Sequence, residues 1–174
     1  MSFNQRFYRE IKQNIANISE KNIKIVAISK NHPLKSVEDA IGFGIRVFGE
    51  NRVQEATNKF LNFKNIHKDL ELHLTGPLQT NKVSKALQIF DVFQTLDREK
   101  LAKEFVKFSD IAKSKTFYIQ VNIGKESGKS GISPELADDF IKYCTKDLNL
   151  NISGLMCIPP IDENPREFFL FLKK

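Results

Sequence analysis

Lys24-Ile25-Val26-Ala27-Ile28-Ser29-Lys30 is the stretch on which the fold turns, because four apolar residues in a row run into a lysine and then into the turn signal Asn31-His32-Pro33. A short run rich in Ile and Val, bounded by turn residues, predicts a strand buried on both faces. Such strands belong to parallel α/β proteins, in which ligands bind beyond the carboxyl ends of the strands. Lys30 therefore stands where a useful amine would be placed. The plainer reading is a lysine that leaves the strand and carries its charge to solvent.

Outward from this strand the same unit recurs. Before it, Phe7, Ile11, Ile15 and Ile18 repeat at spacings of four and three and predict an amphipathic helix over residues 3–19. After it, a short helix at 36–41 stops at Gly42 and Gly44, and a second strand, 45–48, ends in Gly49-Glu50-Asn51. Further strands are predicted at 71–75, 92–96, 116–123 and 152–158, with helices at 53–63, 81–90, 98–112 and 133–148 between them. Ser133-Pro134-Glu135 carries the capping serine, first-turn proline and acidic residue of a helix start. Strand-then-helix units with short connections and no hairpin signals predict a parallel sheet with helices packed outside it. A (β/α)8 barrel and an open doubly wound sheet both fit. No Gly-x-Gly-x-x-Gly follows the first strand, which weakens the dinucleotide-binding version of the open sheet.

Composition excludes the other broad classes. A chain of 174 residues, 41% hydrophobic and 28% charged, suits one globular domain spanning 1–174. The net charge of +6 comes from lysines interleaved with Asp and Glu along predicted helices, so no nucleic-acid partner is expected. Cys144 and Cys157 share no metal-type spacing and read as reduced thiols of a cytoplasmic protein, with no metal site. No apolar run is long enough to span a bilayer, and the first residues lack a signal core.

The ends of the strands are the distinctive part. They read Ser29-Lys30, Phe48-Gly49-Glu50-Asn51, His73-x-x-Gly76-x-Leu78-Gln79-x-Asn81-Lys82, Val121-Asn122-Ile123, Lys129-Ser130-Gly131 and Gly154-Leu155-Met156-x-Ile158-Pro159. In this order and at these separations they resemble the pyridoxal phosphate homeostasis proteins, a family of small barrels similar to the N-terminal domain of alanine racemase. The resemblance implies a (β/α)8 TIM-barrel type of fold, of which about six units are present. It also implies pyridoxal 5'-phosphate as cofactor, held as a Schiff base on Lys30 and lined by Asn51. A Schiff base needs a neutral amine, which desolvation at a strand end among apolar side chains would favour.

For Asn51 the competing role is a turn residue with left-handed backbone. For His73 it is a core histidine bonded to backbone; Asn81 and Lys82 open a helix whose free N–H groups could meet an anion, and helix capping explains the asparagine equally well. Gly124-Lys125-Glu126-Ser127-Gly128-Lys129-Ser130 looks like a nucleotide-binding P-loop but is one residue short between its glycines. Gly131 and Pro134 also delay the helix that should follow it, so it reads as a flexible loop. Alanine racemase itself adds a second domain and a catalytic tyrosine from a partner, which this chain has no room for. A carrier of vitamin B6 serving pyridoxal-phosphate-dependent apoenzymes is therefore expected, with no catalytic residue, in preference to a racemase-like enzyme. The resemblance places the phosphate-holding loops after a seventh and an eighth strand. A C-terminally shortened chain, with weak cofactor binding and a tendency to self-associate, is the expectation from their absence.

Overall fold

In the computed structural model, which describes residues 3–173, the six strands run parallel and stand in sequence order. They are β1 (Ala27–Ile28), β2 (Val47–Glu50), β3 (Glu71–Leu74), β4 (Val92–Leu96), β5 (Thr116–Gln120) and β6 (Ile152–Met156). Sequential order is what a sheet curling one way toward a barrel produces, whereas a doubly wound sheet would build outward on both sides of its first strand. Of the two architectures the sequence allows, the fold is thus the barrel type.

The helices are α1 (Gln5–Ile18), α2 (Leu34–Gly42), α3 (Val53–Ile66), α4 (Val83–Ile89), α5 (Glu99–Val106), α6 (Ser109–Ala112), α7 (Pro134–Lys142) and α8 (Pro165–Leu172). Their packing separates the two faces of the sheet. Phe48 of β2 meets Phe60 of α3 with ring centroids 5.2 Å apart. Phe93 of β4 and Phe117 of β5 close on Phe105 of α5 at 4.9 and 4.8 Å. These rings are all buried, so this face of each strand holds the main core. Side chains alternate along a strand, and Gly49, His73, Gln94 and Tyr118 accordingly look the other way, into the barrel interior.

The ladder departs from the predicted strands in definite places. β1 is two residues long, pairs only with β2, and leaves Ile28 45% exposed instead of buried on both faces. No strand among the described residues pairs with the outer edge of β1 or of β6, so the interior beside β1 is open. β2 starts two residues later than predicted because Ile45 N–H bonds Ala40 C=O to close α2, and the Arg46 guanidinium binds the carbonyls of Ile41 and Ile45. The helix predicted over 98–112 divides into α5 and α6 at Phe108, whose backbone is not helical. After α7 the chain continues as a π-helical turn, Tyr143–Asp147, in which Leu148 N–H reaches Tyr143 C=O. No helix among the described residues is long and apolar enough to cross a membrane.

Candidate functional site

The register sets the site. Ile28 pairs with Gly49, and Gly49 with His73. Two residues further along each strand are Lys30, Asn51 and Thr75, side by side at the carboxyl ends of β1, β2 and β3. A Cβ on Gly49 would lie 2.5 Å from Ile28 Cδ1 and 3.3 Å from Thr75 Cγ2, so the side chains flanking the central strand close over the glycine and a larger residue there would have to displace the end of Ile28.

Lys30 is exposed, and this corrects the expectation of an amine surrounded by apolar side chains. Its backbone, not its environment, is what the fold controls. His32 N–H bonds Ser29 C=O at 3.1 Å, making Lys30 and Asn31 the corners of a tight turn, with Asn31 at φ 61°. Behind the turn, Lys59 of α3 places its ammonium against Ser29 C=O at 2.7 Å, Glu50 Oε1 at 3.0 Å and Glu55 Oε1 at 2.7 Å. Ser29 Oγ donates to the same Glu50 oxygen at 2.7 Å, and Asn31 N–H donates to Glu55 Oε1 at 2.7 Å. Glu50 is fully buried. Burial pushes its carboxyl up, against the downward pull of the Ser29 and Lys59 hydrogen bonds. The Lys59 bond is foremost in holding Glu55 below the usual carboxylate range.

Asn51 is not in the left-handed region, where the asparagines are Asn31 and Asn149, so the left-handed backbone that a turn residue could have adopted is absent there. Its Oδ1 accepts from Thr75 Oγ1 at 2.9 Å. Gly76 permits this approach, since a Cβ there would sit 2.5 Å from Asn51 C=O and 2.7 Å from Asn51 Cα. Asn51 then borders two clefts. One, of about 210 Å³, also takes in Thr75, Gln120, Asn122, Lys129 and Ser130. The other, of about 640 Å³, takes in Arg52, Gln79, Lys82, Lys85 and Arg98. Lys30 lines neither, so the two predicted site residues share a row on the sheet but not a cavity.

Below the row, His73 is buried but bonded to side chains, not to backbone as expected. Its Nε2 lies 2.5 Å from Glu71 Oε1, and its Nδ1 lies 2.7 Å from the Gln94 amide nitrogen. Burial lowers the pKa of His73, although Glu71 opposes this. A neutral ring with Nε2–H donating to Glu71 and Nδ1 accepting from Gln94 satisfies both partners. Lys24 completes the ladder with bonds of 2.7 and 2.9 Å to Glu71. In the loop that resembles a P-loop, Lys129 is paired with Glu126 at 2.6 Å. Asn122 holds Glu126 through both amide atoms, and no helix begins before Pro134. The loop thus lacks the helix start that a phosphate would need.

Glu50, Glu55, Lys59 and Thr75 were not marked by sequence reasoning as parts of the site. The i,i+4 spacing of Glu55 and Lys59 was a readable signal of a pair. Its reach to Ser29 depends on the placement of α3 against β1 and β2.

The family model for the alanine racemase N-terminal domain matches residues 8–170. The pyridoxal phosphate homeostasis protein of Aquifex aeolicus (strain VF5) is 36% identical over 154 residues, covering 87% of this chain and 66% of that protein. The one from Pasteurella multocida (strain Pm70) is 38% identical over 162 residues, covering 88% and 70%. The chain spans about two thirds of the length of these curated relatives. Among solved structures, PipY of Synechococcus elongatus PCC7942 with pyridoxal phosphate bound superposes with a TM-score of 0.77 at 29% identity, over 93% of this chain and 75% of that one. An alanine racemase from Clostridium difficile 630 shares the fold, with a TM-score of 0.70 at 15% identity, over 99% of this chain and 45% of that one. The family model leaves only residues 1–7 and 171–174 unmatched, and the curated relatives align over most of the same span; this chain belongs to the pyridoxal phosphate homeostasis protein family, whose barrel is the alanine racemase N-terminal domain.

Proposed function

We propose that this chain binds pyridoxal 5'-phosphate and serves as a carrier in intracellular vitamin B6 homeostasis, with Lys30 as the point of attachment and Asn51 beside it. The observation that carries the reading is the row Lys30, Asn51, Thr75 at the mouth of the barrel, in which Lys30 alone offers an amine. Among the described residues that amine has no acidic partner, while the lysines nearest it in sequence and space, Lys35 and Lys59, are both held by carboxylates. Lys30 would hold the group through this amine, which would supply the nucleophile for its aldehyde. The residues present fit the group at its aldehyde end. Among the described residues Gln120 Oε1 is buried without a partner, and it borders the 210 Å³ cleft, where a hydrogen-bond donor on a ligand would satisfy it.

The bound cofactor supplies an electron sink for amino-acid chemistry. This chain's residues bind and orient it, and His73, buried beneath the row, is committed to Glu71 and Gln94. The relatives are named as homeostasis proteins, in keeping with a carrier whose clients are apoenzymes in the cytoplasm.

Mixing the protein with pyridoxal phosphate is expected to give a visible absorption band that borohydride fixes onto the peptide containing Lys30. Lys30→Ala loses the band and keeps its fold, because an exposed side chain leaves no cavity. Trapping on another lysine would refute the assignment, and turnover of alanine well above that of free cofactor would refute the carrier role.

A further inference from the structure

We propose that Lys59 is a positioning residue for Lys30, acting through the backbone of the turn that carries it. An ammonium has three N–H donors, and those of Lys59 meet three acceptors on three different elements: Ser29 C=O after β1, Glu50 at the end of β2 and Glu55 within α3. The peptide groups on either side of Lys30 are therefore both tethered. Ser29 is held by Lys59 and, through its hydroxyl, by Glu50. Asn31 is held by Glu55, whose accepting oxygen is the one Lys59 binds.

The group lies on the helix-facing side of the sheet, and none of Glu50, Glu55 and Lys59 lines either cleft that Asn51 borders. The Lys59 side chain is 11% exposed and Glu50 is fully buried. A buried charge cluster placed for stability alone is a poor bargain, since desolvation offsets most of its Coulombic gain. One that fixes a turn with a left-handed corner at Asn31 contributes something apolar packing cannot, a single backbone geometry next to the reactive amine. Lys59 itself is saturated with partners, which keeps it from competing with Lys30 for an aldehyde.

This role rests on the reading of Lys30 as the attachment point, and the test separates the two. Lys59→Met is compared with wild type and with Lys64→Met, which removes the ion pair to Asp91 from the other end of α3. In the cofactor-free proteins, hydrogen exchange at the Asn31 amide is expected to quicken about tenfold or more in Lys59→Met, the effect of weakening one hydrogen bond to a charged group. It stays slow in Lys64→Met. With pyridoxal phosphate added, Lys59→Met is expected to bind on the order of ten- to a hundredfold more weakly and to lose induced circular dichroism in the visible band. Lys64→Met keeps both. Should Lys59→Met fail to fold, Glu55→Met removes the acceptor of the Asn31 N–H from a side chain that is partly exposed, and the same measurements apply. Unchanged exchange at Asn31 in Lys59→Met overturns the clamp. Unchanged affinity and dichroism, or equal losses in Lys64→Met, overturn its positioning role. If wild type attaches no cofactor at Lys30, the functional reading falls and this role falls with it, while the exchange result still decides whether the turn is clamped.

Discussion

Gly76→Ala places one methyl group where the backbone of the neighbouring strand end already lies. The added Cβ would stand 2.5 Å from Asn51 C=O, 2.7 Å from Asn51 Cα and 2.7 Å from Asn51 Cβ. No side chain can rotate away, because two of the three atoms are backbone. The Thr75–Glu50 backbone hydrogen bond of 2.9 Å holds the two strand ends together at this point. Relief therefore requires the end of β2 to shift relative to β3, and overpacking of this kind costs about 1–3 kcal/mol. For a domain of this size each kcal/mol moves the unfolding midpoint by about 2–4 °C, so a fall of about 2 to 12 °C is expected. The same shift displaces Asn51 and breaks its 2.9 Å bond from Thr75, so cofactor affinity should fall together with stability. Gly42→Ala is the control. Nothing lies within 4 Å of a Cβ there and its φ is ordinary, so it should be neutral or stabilising by up to about 1 kcal/mol. Thermal unfolding followed by far-ultraviolet circular dichroism, with the visible absorption of the bound cofactor, reads both effects. A Gly76→Ala variant with unchanged midpoint and affinity would refute the steric argument.

Two other outcomes follow from buried titratable groups. The pKa of His73 is lowered in the folded protein, so this residue contributes stability that is present above its unfolded value of about 6.5 and lost as pH falls through the folded value. Urea midpoints measured from pH 7.5 downward should decline less steeply in His73→Gln, and equal slopes would show that the ring titrates freely. Burial pushes the Cys144 thiol up to about 12 and raises Cys157 less, and Cys144 is fully buried while Cys157 is half-buried. A disulfide reagent should thus label Cys157 slowly and leave Cys144 untouched until denaturant is added; rapid labelling of both in the native protein would contradict this packing.

The order of the elements was legible because hydrophobic period and turn residues are local signals. Gly76-Pro77 after β3 and Ser133-Pro134-Glu135 before α7 mark boundaries that the structure keeps. The choice between barrel and doubly wound sheet was not legible in the hydrophobic period, since strand order is a property of contacts between units and not of any one of them; the strand-end motifs, through the family they resemble, pointed to the barrel that the strand order shows. The short β1 was misjudged for a related reason. Ile25 to Ile28 has the composition of a strand buried on both faces, but burial depends on what stands beside it, and only β2 does. Helix continuity failed at Phe108, where an apolar residue that continues the helical spacing instead closes a turn on Phe105.

At the proposed site, Lys30 stood out because it follows a strand, whose carboxyl end can be located from sequence, and Asn51 because its Gly-Glu-Asn turn resembles the family's. What holds them could not be, because the clamp draws one member from each of several elements. Ser29 looks like an incidental neighbour of Lys30, yet alternation turns it to the helix-facing side, where it is 6% exposed and meets Glu50. Glu50 likewise seems one polar residue in a Gly-Glu-Asn turn. The register that pairs Ile28 with Gly49 brings it level with Ser29, and the first turns of α3 then deliver Lys59 between them. Alternation thus sends consecutive residues to opposite tasks: Lys30 and Asn51 toward the mouth, Ser29 and Glu50 toward the scaffold that fixes them. Replacing Glu50 should therefore disturb the proposed attachment point while leaving every group in the mouth chemically unchanged, an effect that the sequence around Lys30 alone gives no reason to expect.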